Sequence, residues 1–347
     1  MRFREHKSHM LKRFLKTIVV ICLANGFLTA AFAATNPFIG YWELTVPGGA
    51  AGWLGVEEKA GQLEASMMWA AGSVEPTASA KVEGDKLILT RNHDYEVTDA
   101  SGKKVKKTRV ETITATVSGD QINLVSVNPR QDGSGEDKAS FSGRRTPPMP
   151  PAPVLTKVKF GKKIKLFNGK NLEGWQLTDR SAVNAWSAKD GILVNSAAQE
   201  EGKPHKNFGN LRTDREFNDF NLKLEARVPK GGNSGIYLRG IYEIQVADSF
   251  GQPPESHRIG AVYSRITPTS NPAKPAGEWQ SYDITLVNRH VTVILNGTKI
   301  IDNQPILGCT GGALWSDVSR PGPIYLQGDH TGVEYRNIIL RPVVANK

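Results

Sequence analysis

The stretch "GGNSGIYLRGIYEIQVAD", residues 231–248, alternates polar and apolar side chains over two short runs. Alternation along a strand sends successive side chains to opposite faces. Tyr237 and Arg239 should therefore share one face, and Glu243 and Gln245 join them if the two runs pair as a hairpin. An arginine and a glutamate there are either a weak ion pair on a wet face or part of the wall of a binding site.

A histidine beside an acid ends another alternating run, "PIYLQGDH". Because an imidazole titrates near neutral pH, His330 next to Asp329 is a candidate general base; the alternative is an ordinary loop residue. His257 follows the proline-rich "GQPPES" in a loop that could overhang a cleft. Both histidines therefore join the hairpin residues as candidates for the site.

Four further residues are candidates for contact with a ligand. Asn233 lies in the glycine-rich approach to the hairpin, where the backbone can turn sharply and come close to a ligand. Asp248 and Tyr263 are polar candidates of second rank. Trp279 could stack on a ring of a ligand, but a place in the core would suit it at least as well.

Side chains that bind metals are present, but their spacing does not define a site. Glu243, Asp329 and His330 could supply oxygen and nitrogen ligands, yet the chain has no HxxxH or DxDxDG pattern. Cys309 is the only cysteine beyond residue 33, which excludes a CxxC centre and an internal disulfide there. The residues alone leave a metal ion undetermined.

Short strands must position these groups, because the chain contains no convincing amphipathic helix of three turns. The run "FNLKLEARV" at 220–228 alternates without a break, and the pair Asn296-Gly297 is typical of a hairpin turn. We therefore predict an all-β protein whose second part is a jelly-roll sandwich of two sheets. A smaller antiparallel β barrel or sandwich is expected before it.

A run of prolines, "RRTPPMPPAPV", divides the chain and is typical of a stiff extended linker. We predict a small β domain at 34–145, the linker at 146–157 and the larger β domain at 158–347. The small domain begins with "GYWEL", which resembles the Gly-x-Trp start of lipocalin-like barrels. Trp42 in this short motif is more readily explained as a core residue.

Residues 1–33 are typical of a secretory signal peptide, with six Lys or Arg, one Glu and an apolar run that ends in "AFA". Cleavage there predicts a periplasmic or secreted protein with no integral membrane segment. The chain after residue 33 would then carry a net charge of +5, compared with +10 for the full sequence. The lysines at 103–107 surround a predicted turn without interleaved aromatic residues, which argues against nucleic-acid binding.

Much of the second part, at about 160–343, resembles an exported bacterial family described as 3-keto-disaccharide hydrolases or 3-keto-glucoside 1,2-lyases and hydratases. The family fold is a concanavalin-like jelly roll, in agreement with the strand pattern. The segments that carry the resemblance are "LFNGKNLEGW", "DGILV", "NLRTDREFNDFNLKLEARVPKGGNSGIYLRGIYEIQVADSFG", "GAVY", "GEWQSYDITLVNRHVTVILNG" and "GPIYLQGDHTGVEYRNIILRP".

The resemblance implies a reaction on a glycoside whose C3 hydroxyl has been oxidised to a ketone by a separate glycoside 3-oxidoreductase. A base removes the C2 proton, the group at C1 leaves, and water can then add back. On this reading His330 is the candidate base and Arg239 the candidate that stabilises the enolate, while His330 and Glu243 could exchange roles. Tyr237 and Gln245 would help to hold the sugar.

A divalent metal ion is another common way to hold an enolate oxygen, and no nucleotide cofactor is expected. Three functions remain open at this point: the enzyme, a carbohydrate-binding, lectin-like envelope protein without catalysis, and a structural or adhesive envelope protein. Ordinary glycosidase activity on unoxidised sugars is a weaker alternative among enzymes.

Overall fold

The computed structural model describes residues 36–99, 101–200, 202–204 and 206–344. The predicted signal peptide lies outside these residues. Apart from a 3₁₀ turn at Leu155–Lys157, the described elements are strands, and the all-β prediction is confirmed. Among the described residues, no helix is long and apolar enough to cross a membrane.

In the described chain, nine antiparallel strands form the first sheet, in the order β4-β3-β2-β1-β9-β8-β7-β6-β5. These strands are β1 (Gly40–Thr45), β2 (Ala51–Lys59), β3 (Gln62–Trp69), β4 (Val74–Pro76), β5 (Ser79–Glu83), β6 (Lys86–Thr98), β7 (Lys104–Ser118), β8 (Gln121–Pro129) and β9 (Glu136–Arg145).

The first sheet curls round on itself, because its two edge strands, β4 and β5, are consecutive in the chain. At their junction Thr77 N donates to Ala65 O in β3, and Ala78 N donates to Thr90 O in β6. We name this curled sheet the barrel, although its strand order stays open between β4 and β5. Trp42 is fully buried in the interior of this sheet, so its interpretation as a core residue is confirmed.

Thirteen strands follow in the described part of the second region. They are β10 (Ile164–Lys165), β11 (Trp175–Leu177), β12 (Trp186–Lys189), β13 (Ile192–Asn195), β14 (Leu211–Thr213), β15 (Phe220–Arg227), β16 (Asn233–Leu238), β17 (Tyr242–Ala247), β18 (Gln280–Val287), β19 (His290–Leu295), β20 (Thr298–Pro305), β21 (Tyr325–Leu326) and β22 (Val333–Pro342).

These strands form two antiparallel sheets. One has the order β12-β13-β22-β15-β18-β19-β20, with β10 also paired to β22, and the other has the order β11-β14-β21-β16-β17. Both send apolar side chains into one core, and in β15 the residues Phe220, Leu222, Leu224 and Ala226 are buried, as their alternation predicts. The jelly-roll sandwich expected for this part is confirmed.

The two β parts pack together, and the described residues from Pro37 onward form one compact unit. Trp53 of β2 belongs to the core of the sandwich, where its Nε1 donates to Leu307 O at 3.2 Å. The ring fills the space beside Gly308, since a Cβ there would lie 2.2 Å from Trp53 Cδ1. The barrel and the sandwich therefore share apolar contacts across their boundary.

The proline run between the two parts is held along its length by the sandwich. Side chains of the sandwich donate to proline carbonyl oxygens in three pairs: Arg289 to Pro147, Asn288 to Pro151 and Asn303 to Pro153. Extended proline-rich chain has no hydrogen bonds of its own, so these contacts fix its path. The domain boundaries at 145 and 158 stay a prediction.

Candidate active site

The hairpin of β16 and β17 forms the base of the site. Its register pairs Tyr237 with Glu243 and Gly235 with Gln245. Because Ile236 between them points into the core, Tyr237, Glu243 and Gln245 share the opposite face of the five-stranded sheet. All three side chains are buried on that face, so it is the wall of a cavity and not a solvated surface.

Arg239 does not lie on this face, which corrects the prediction made from alternation. Strand β16 ends at Leu238, and Arg239 has a φ of 56°, in the left-handed region that a turn requires. Its buried guanidinium donates to the carbonyl oxygens of Val318 and Arg320. Since it does not line the cavity, Arg239 cannot stabilise an enolate there.

Gly235 makes room for the side chain of Glu243. A Cβ at this position would lie 2.3 Å from Glu243 Oε1 and 2.8 Å from its Cγ, closer than non-bonded atoms approach. A glycine inside a strand often marks such a close approach. This is the structural reason for the third glycine in "GGNSG".

Glu243 is a carboxyl group that stays largely neutral near pH 7, because burial raises its pKa to about 8. Tyr237 Oη lies 3.0 Å from Glu243 Oε2 and 2.7 Å from Gly311 O. The Gly311 carbonyl can only accept, so Tyr237 can donate its single proton to it while it accepts a hydrogen bond from neutral Glu243. A ligand oxygen in the cavity can take the place of Tyr237 Oη as acceptor, so Glu243 is the hydrogen-bond donor at the floor.

Tyr325 of β21 stacks on Tyr237, with ring centroids 4.1 Å apart and planes at 9°. Asn210, just before β14, donates through Nδ2 to Tyr325 Oη at 3.0 Å, and its Oδ1 accepts from Gly328 N at 2.7 Å. Burial raises the pKa of both phenols, so both remain protonated. Neighbouring strands thus hold the two rings in fixed positions.

His330 and Asp329 line the same cavity as Glu243, from the loop after β21. His330 Nδ1 lies 2.9 Å from Asp329 Oδ1. The hydrogen bond and the charge of Asp329 raise the pKa of His330 against the effect of burial. Burial opposes ionisation of Asp329, but its contact with His330 contributes to a net fall in its pKa. The pair is an imidazole made more basic by a carboxylate.

The cavity has a volume of about 200 Å³. Its floor is formed by buried side chains, including Tyr237, Glu243 and Gln245, whereas Ala71 and His330 are exposed residues of its lining. Sites that enclose a drug-sized ligand usually measure about 300–1,000 Å³. The cavity therefore fits a group the size of one ring.

Two acceptor atoms at the cavity lack a hydrogen-bond donor among the described residues. Gln245 Oε1 and Gln327 Oε1 are buried without a partner. Gln245 Nε2 donates to Asn233 Oδ1 at 2.9 Å, which orients the free amide oxygen. Because buried acceptors without donors are costly, a ligand with several hydroxyl groups would suit this lining.

The remaining predicted ligand contacts divide into two groups. Asn233 and Tyr263 line the cavity. His257 does not line it, but its ring makes an edge-to-face contact with Tyr263 at 4.8 Å. Asp248 also lies outside the lining, where its Oδ2 accepts from Gly231 N at 3.0 Å and so supports the approach to the hairpin.

Trp279 does not line the cavity and so does not stack on a ligand there. It immediately precedes β18 of the eight-stranded sheet, and its ring is covered by the guanidinium groups of Arg227 and Arg336 at 4.7 and 4.1 Å. These cation–π contacts occupy the ring, so Trp279 is not a stacking platform in this cavity.

Sequence reasoning missed six lining residues: Ala71, Asn210, Gly311, Gly312, Tyr325 and Gln327. Tyr325 and Gln327 alternate with buried neighbours just before Asp329, so the pattern that indicates the hairpin could also have found them. Asn210 precedes a strand of three residues, which gives little pattern. Nothing local to Ala71 connects it with residues more than 160 positions away.

The predicted metal ligands do not form a complete site in the part of the chain that the structure describes. There, no group of three or more His, Cys, Asp or Glu side chains is arranged to hold an ion. Asp329 and His330 lie side by side, but His330 pairs with Asp329, and Glu243 is hydrogen-bonded to Tyr237. We therefore derive no step that runs through a metal.

The chain is similar in sequence to proteins whose descriptions refer to carbohydrates. Residues 162–341 match the sequence model of a family described as the 3-keto-alpha-glucoside-1,2-lyase-like domain. A 3-keto-disaccharide hydrolase of Bacteroides thetaiotaomicron is 26% identical over 166 residues, covering 40% of this chain and 57% of that protein. The chain thus spans just over half the length of this relative.

Two crystal structures from Parabacteroides distasonis, each provisionally described as a glycosyl hydrolase, also resemble the chain. One is 31% identical, with 56% of this chain and 92% of that chain covered and a TM-score of 0.42. The other is 21% identical, with 52% and 94% covered and a TM-score of 0.42.

Proposed function

The chain belongs to the family of 3-keto-alpha-glucoside-1,2-lyase-like domains, and on that premise we propose that it cleaves 3-keto-glycosides. One observation carries the proposal: a buried, neutral Glu243 paired with Tyr237 lies in the same small cavity as the His330–Asp329 pair. The cavity thus combines a proton donor with a basic imidazole. That combination suits proton abstraction next to a carbonyl group.

The chemistry depends on the ketone at C3 of the sugar. Loss of the C2 proton gives an enolate whose charge rests on the C3 oxygen. The enolate then re-forms the carbonyl as the C1–O bond breaks, and the leaving oxygen takes up a proton. Addition of water across the new C1–C2 double bond gives the free 3-keto sugar, so the net reaction is a hydrolysis.

Glu243 is assigned to the C3 oxygen, with Tyr237 as its supporting partner. A carboxylic acid kept protonated by burial can turn its proton from the Tyr237 hydroxyl to the enolate oxygen and stabilise the charge by donating a hydrogen bond. Both residues lie on the buried floor, where the low dielectric strengthens such bonds. This pair takes the role that sequence analysis gave to Arg239.

His330 is assigned to the C2 proton, with Asp329 as its orienting partner. The exposed side chain of His330, at the mouth of the cavity, can exchange the proton with solvent or return it to the leaving oxygen. Gln245 and Gln327 offer their free amide oxygens to sugar hydroxyl groups. The substrate would come from an upstream glycoside 3-oxidoreductase, the class of enzyme that makes the ketone.

The proposal is tested by incubating the purified protein with a 3-keto-glucoside and with its unoxidised parent, and by following the released aglycone. Only the oxidised sugar should be cleaved. Glu243→Gln and His330→Ala should each lower the rate by roughly 10²–10⁴, the usual contribution of an acid–base group.

Matched controls lie away from the cavity. Glu225→Gln removes a carboxylate that pairs with Arg336, and His93→Ala removes a ring that contacts Glu111 in the first sheet. Both should keep the wild-type rate. If the wild-type protein binds both sugars and cleaves neither, the enzyme proposal fails and the lectin-like alternative replaces it.

A further inference from the structure

The loop between β3 and β4 of the first sheet reaches the cavity of the second part. Ala71 is part of the cavity lining, and it is the contribution of the barrel to that lining. Beside it, Gly311 packs so closely that a Cβ would lie 2.5 Å from Gly72 O and 2.7 Å from Ala71 O. The same Gly311 accepts the hydrogen bond from Tyr237 Oη. The loop thus backs directly onto the segment that holds the Tyr237–Glu243 pair.

Polar contacts hold this loop against the sandwich on its other side. Val74 N donates to Ser264 Oγ at 2.7 Å, and Ser73 Oγ lies 2.8 Å from His257 Nε2. The ring of His257 in turn contacts Tyr263, a residue of the cavity lining. Two hydrogen bonds and a close backbone contact therefore fix the position of Ala71.

The position of Ala71 relative to the cavity floor indicates which part of a substrate it would contact. A sugar ring seated on the buried floor must direct its remaining substituent through the mouth, where Ala71 and His330 are exposed. A Cβ at Gly311 would meet the loop backbone, and one at Gly312 would lie 2.7 Å from Tyr237 Oη. Ala71 therefore presents a side chain at this point of the mouth, while the glycines beside it serve close packing.

We propose that Ala71 and its loop form the subsite for a ring-sized leaving group, such as the second sugar of a disaccharide. The barrel would then determine which glycosides the sandwich can cleave. This inference rests on the proposed function, because it assumes that the sugar ring occupies the floor.

The test narrows the mouth with Ala71→Trp and compares two substrates, a methyl 3-keto-glucoside and a 3-keto-disaccharide. We expect kcat/KM for the disaccharide to fall at least about tenfold, equivalent to about 1.4 kcal/mol, mainly through KM. The value for the methyl glycoside should change by less than about threefold, or roughly 0.65 kcal/mol. Ala78→Trp, at an exposed alanine in the loop between β4 and β5, is the matched control and should affect neither substrate.

A second variant and a binding measurement keep the two proposals distinguishable. Ser73→Ala releases the loop from His257. This variant should also lower kcat/KM for the disaccharide more than for the methyl glycoside. Calorimetry with methyl glucoside and an unoxidised disaccharide repeats the comparison without catalysis. If the wild-type protein cleaves neither oxidised sugar, the proposed function fails while binding still tests the subsite. Equal effects of Ala71→Trp on both ligands, or no effect on either, would overturn the subsite.

Discussion

At the scale of single residues, the environment of Glu243 determines what the site can do. The same carboxyl group on a wet strand face would be ionised at neutral pH and would pair with cations. In the cavity it is 3% exposed, its pKa is raised to about 8 by burial, and Tyr237 is its hydrogen-bond partner. It therefore acts as a donor, which is what an enolate oxygen needs.

Glu243 makes the stability of the protein depend on pH. Its usual pKa of 4.5 applies to the unfolded chain, and the folded value is about 8. Between these values the folded protein holds a proton that the unfolded chain has released, so stability falls as pH rises. The stabilisation from this proton is complete below pH 4.5, and it is lost as the pH rises through about 8.

We expect the free energy of unfolding to fall between pH 5 and 8 by up to about 1.4 kcal/mol per pH unit more than in Glu243→Gln. Urea titrations of both proteins at several pH values measure the difference. Parallel curves for the two proteins would mean that Glu243 is ionised in the folded state.

The rate of cleavage should follow a bell-shaped curve. The rising limb reports deprotonation of His330, whose pKa lies above its usual value of 6.5, and the falling limb reports ionisation of Glu243 at about 8. In Glu243→Gln the slower reaction should lose the falling limb, because the amide does not ionise. A pH–rate profile of kcat/KM checks this, and an unchanged falling limb in the variant would assign it to another group.

At the scale of elements, the hairpin of β16 and β17 combines a glycine and a long acid across one face. Gly235→Ala would place a methyl group 2.3 Å from Glu243 Oε1, which forces the carboxyl group out of position. The variant should lose most of its activity even if the sheet persists.

A double-mutant cycle isolates this contact. Gly235→Ala should lower the free energy of unfolding of the wild-type protein. The loss should be much smaller in the Glu243→Ala background, because the side chain that clashes is absent there. We expect a coupling free energy of about 1–3 kcal/mol, in the range found for residues in contact. Additive effects in urea unfolding would show that Gly235 is required for another reason.

At the scale of the whole molecule, the barrel and the sandwich hold each other through apolar and charged contacts. Trp53 of the barrel fills a space in the sandwich core. Arg144 pairs with buried Glu43 of its own sheet at 2.7 Å and with Asp317 of the sandwich at 2.5 Å. We therefore expect one cooperative unfolding transition for both parts.

Trp53→Ala should lower the free energy of unfolding by about 3–5 kcal/mol, the usual effect of removing a large buried side chain. Calorimetry of the variant should also reveal whether barrel and sandwich then unfold in separate steps. Val154→Ala, at a 58% exposed position of the proline run, is the control and should change stability by less than about 0.5 kcal/mol. Two transitions already present in the wild-type protein would contradict a shared core.

Export remains a proposal based on residues 1–33, which lie outside the described structure. N-terminal sequencing of the protein from an envelope fraction should find a chain that begins near Ala34. An intact Met1 on a protein recovered from the cytoplasm would contradict the signal peptide.

The sequence by itself determined the features that depend on local periodicity. The two-residue period of a strand places Tyr237, Glu243 and Gln245 on one face wherever the sheet lies. For the same reason the all-β class and the alternation of β15 could be predicted. The family resemblance also indicates the order of the strands in the second part, because the segments that carry it follow one another in the family's order and at ordinary spacing.

Only the tertiary structure decided the features that depend on distant contacts or on burial. Arg239 leaves the face because the chain turns after Leu238, and the residues that bind its guanidinium lie some 80 positions away. Ala71 reaches the cavity because the barrel packs on the sandwich. The pKa of Glu243 is set by how completely its neighbours exclude water, since the free energy of a charge depends on its whole surroundings and not on its place in the chain.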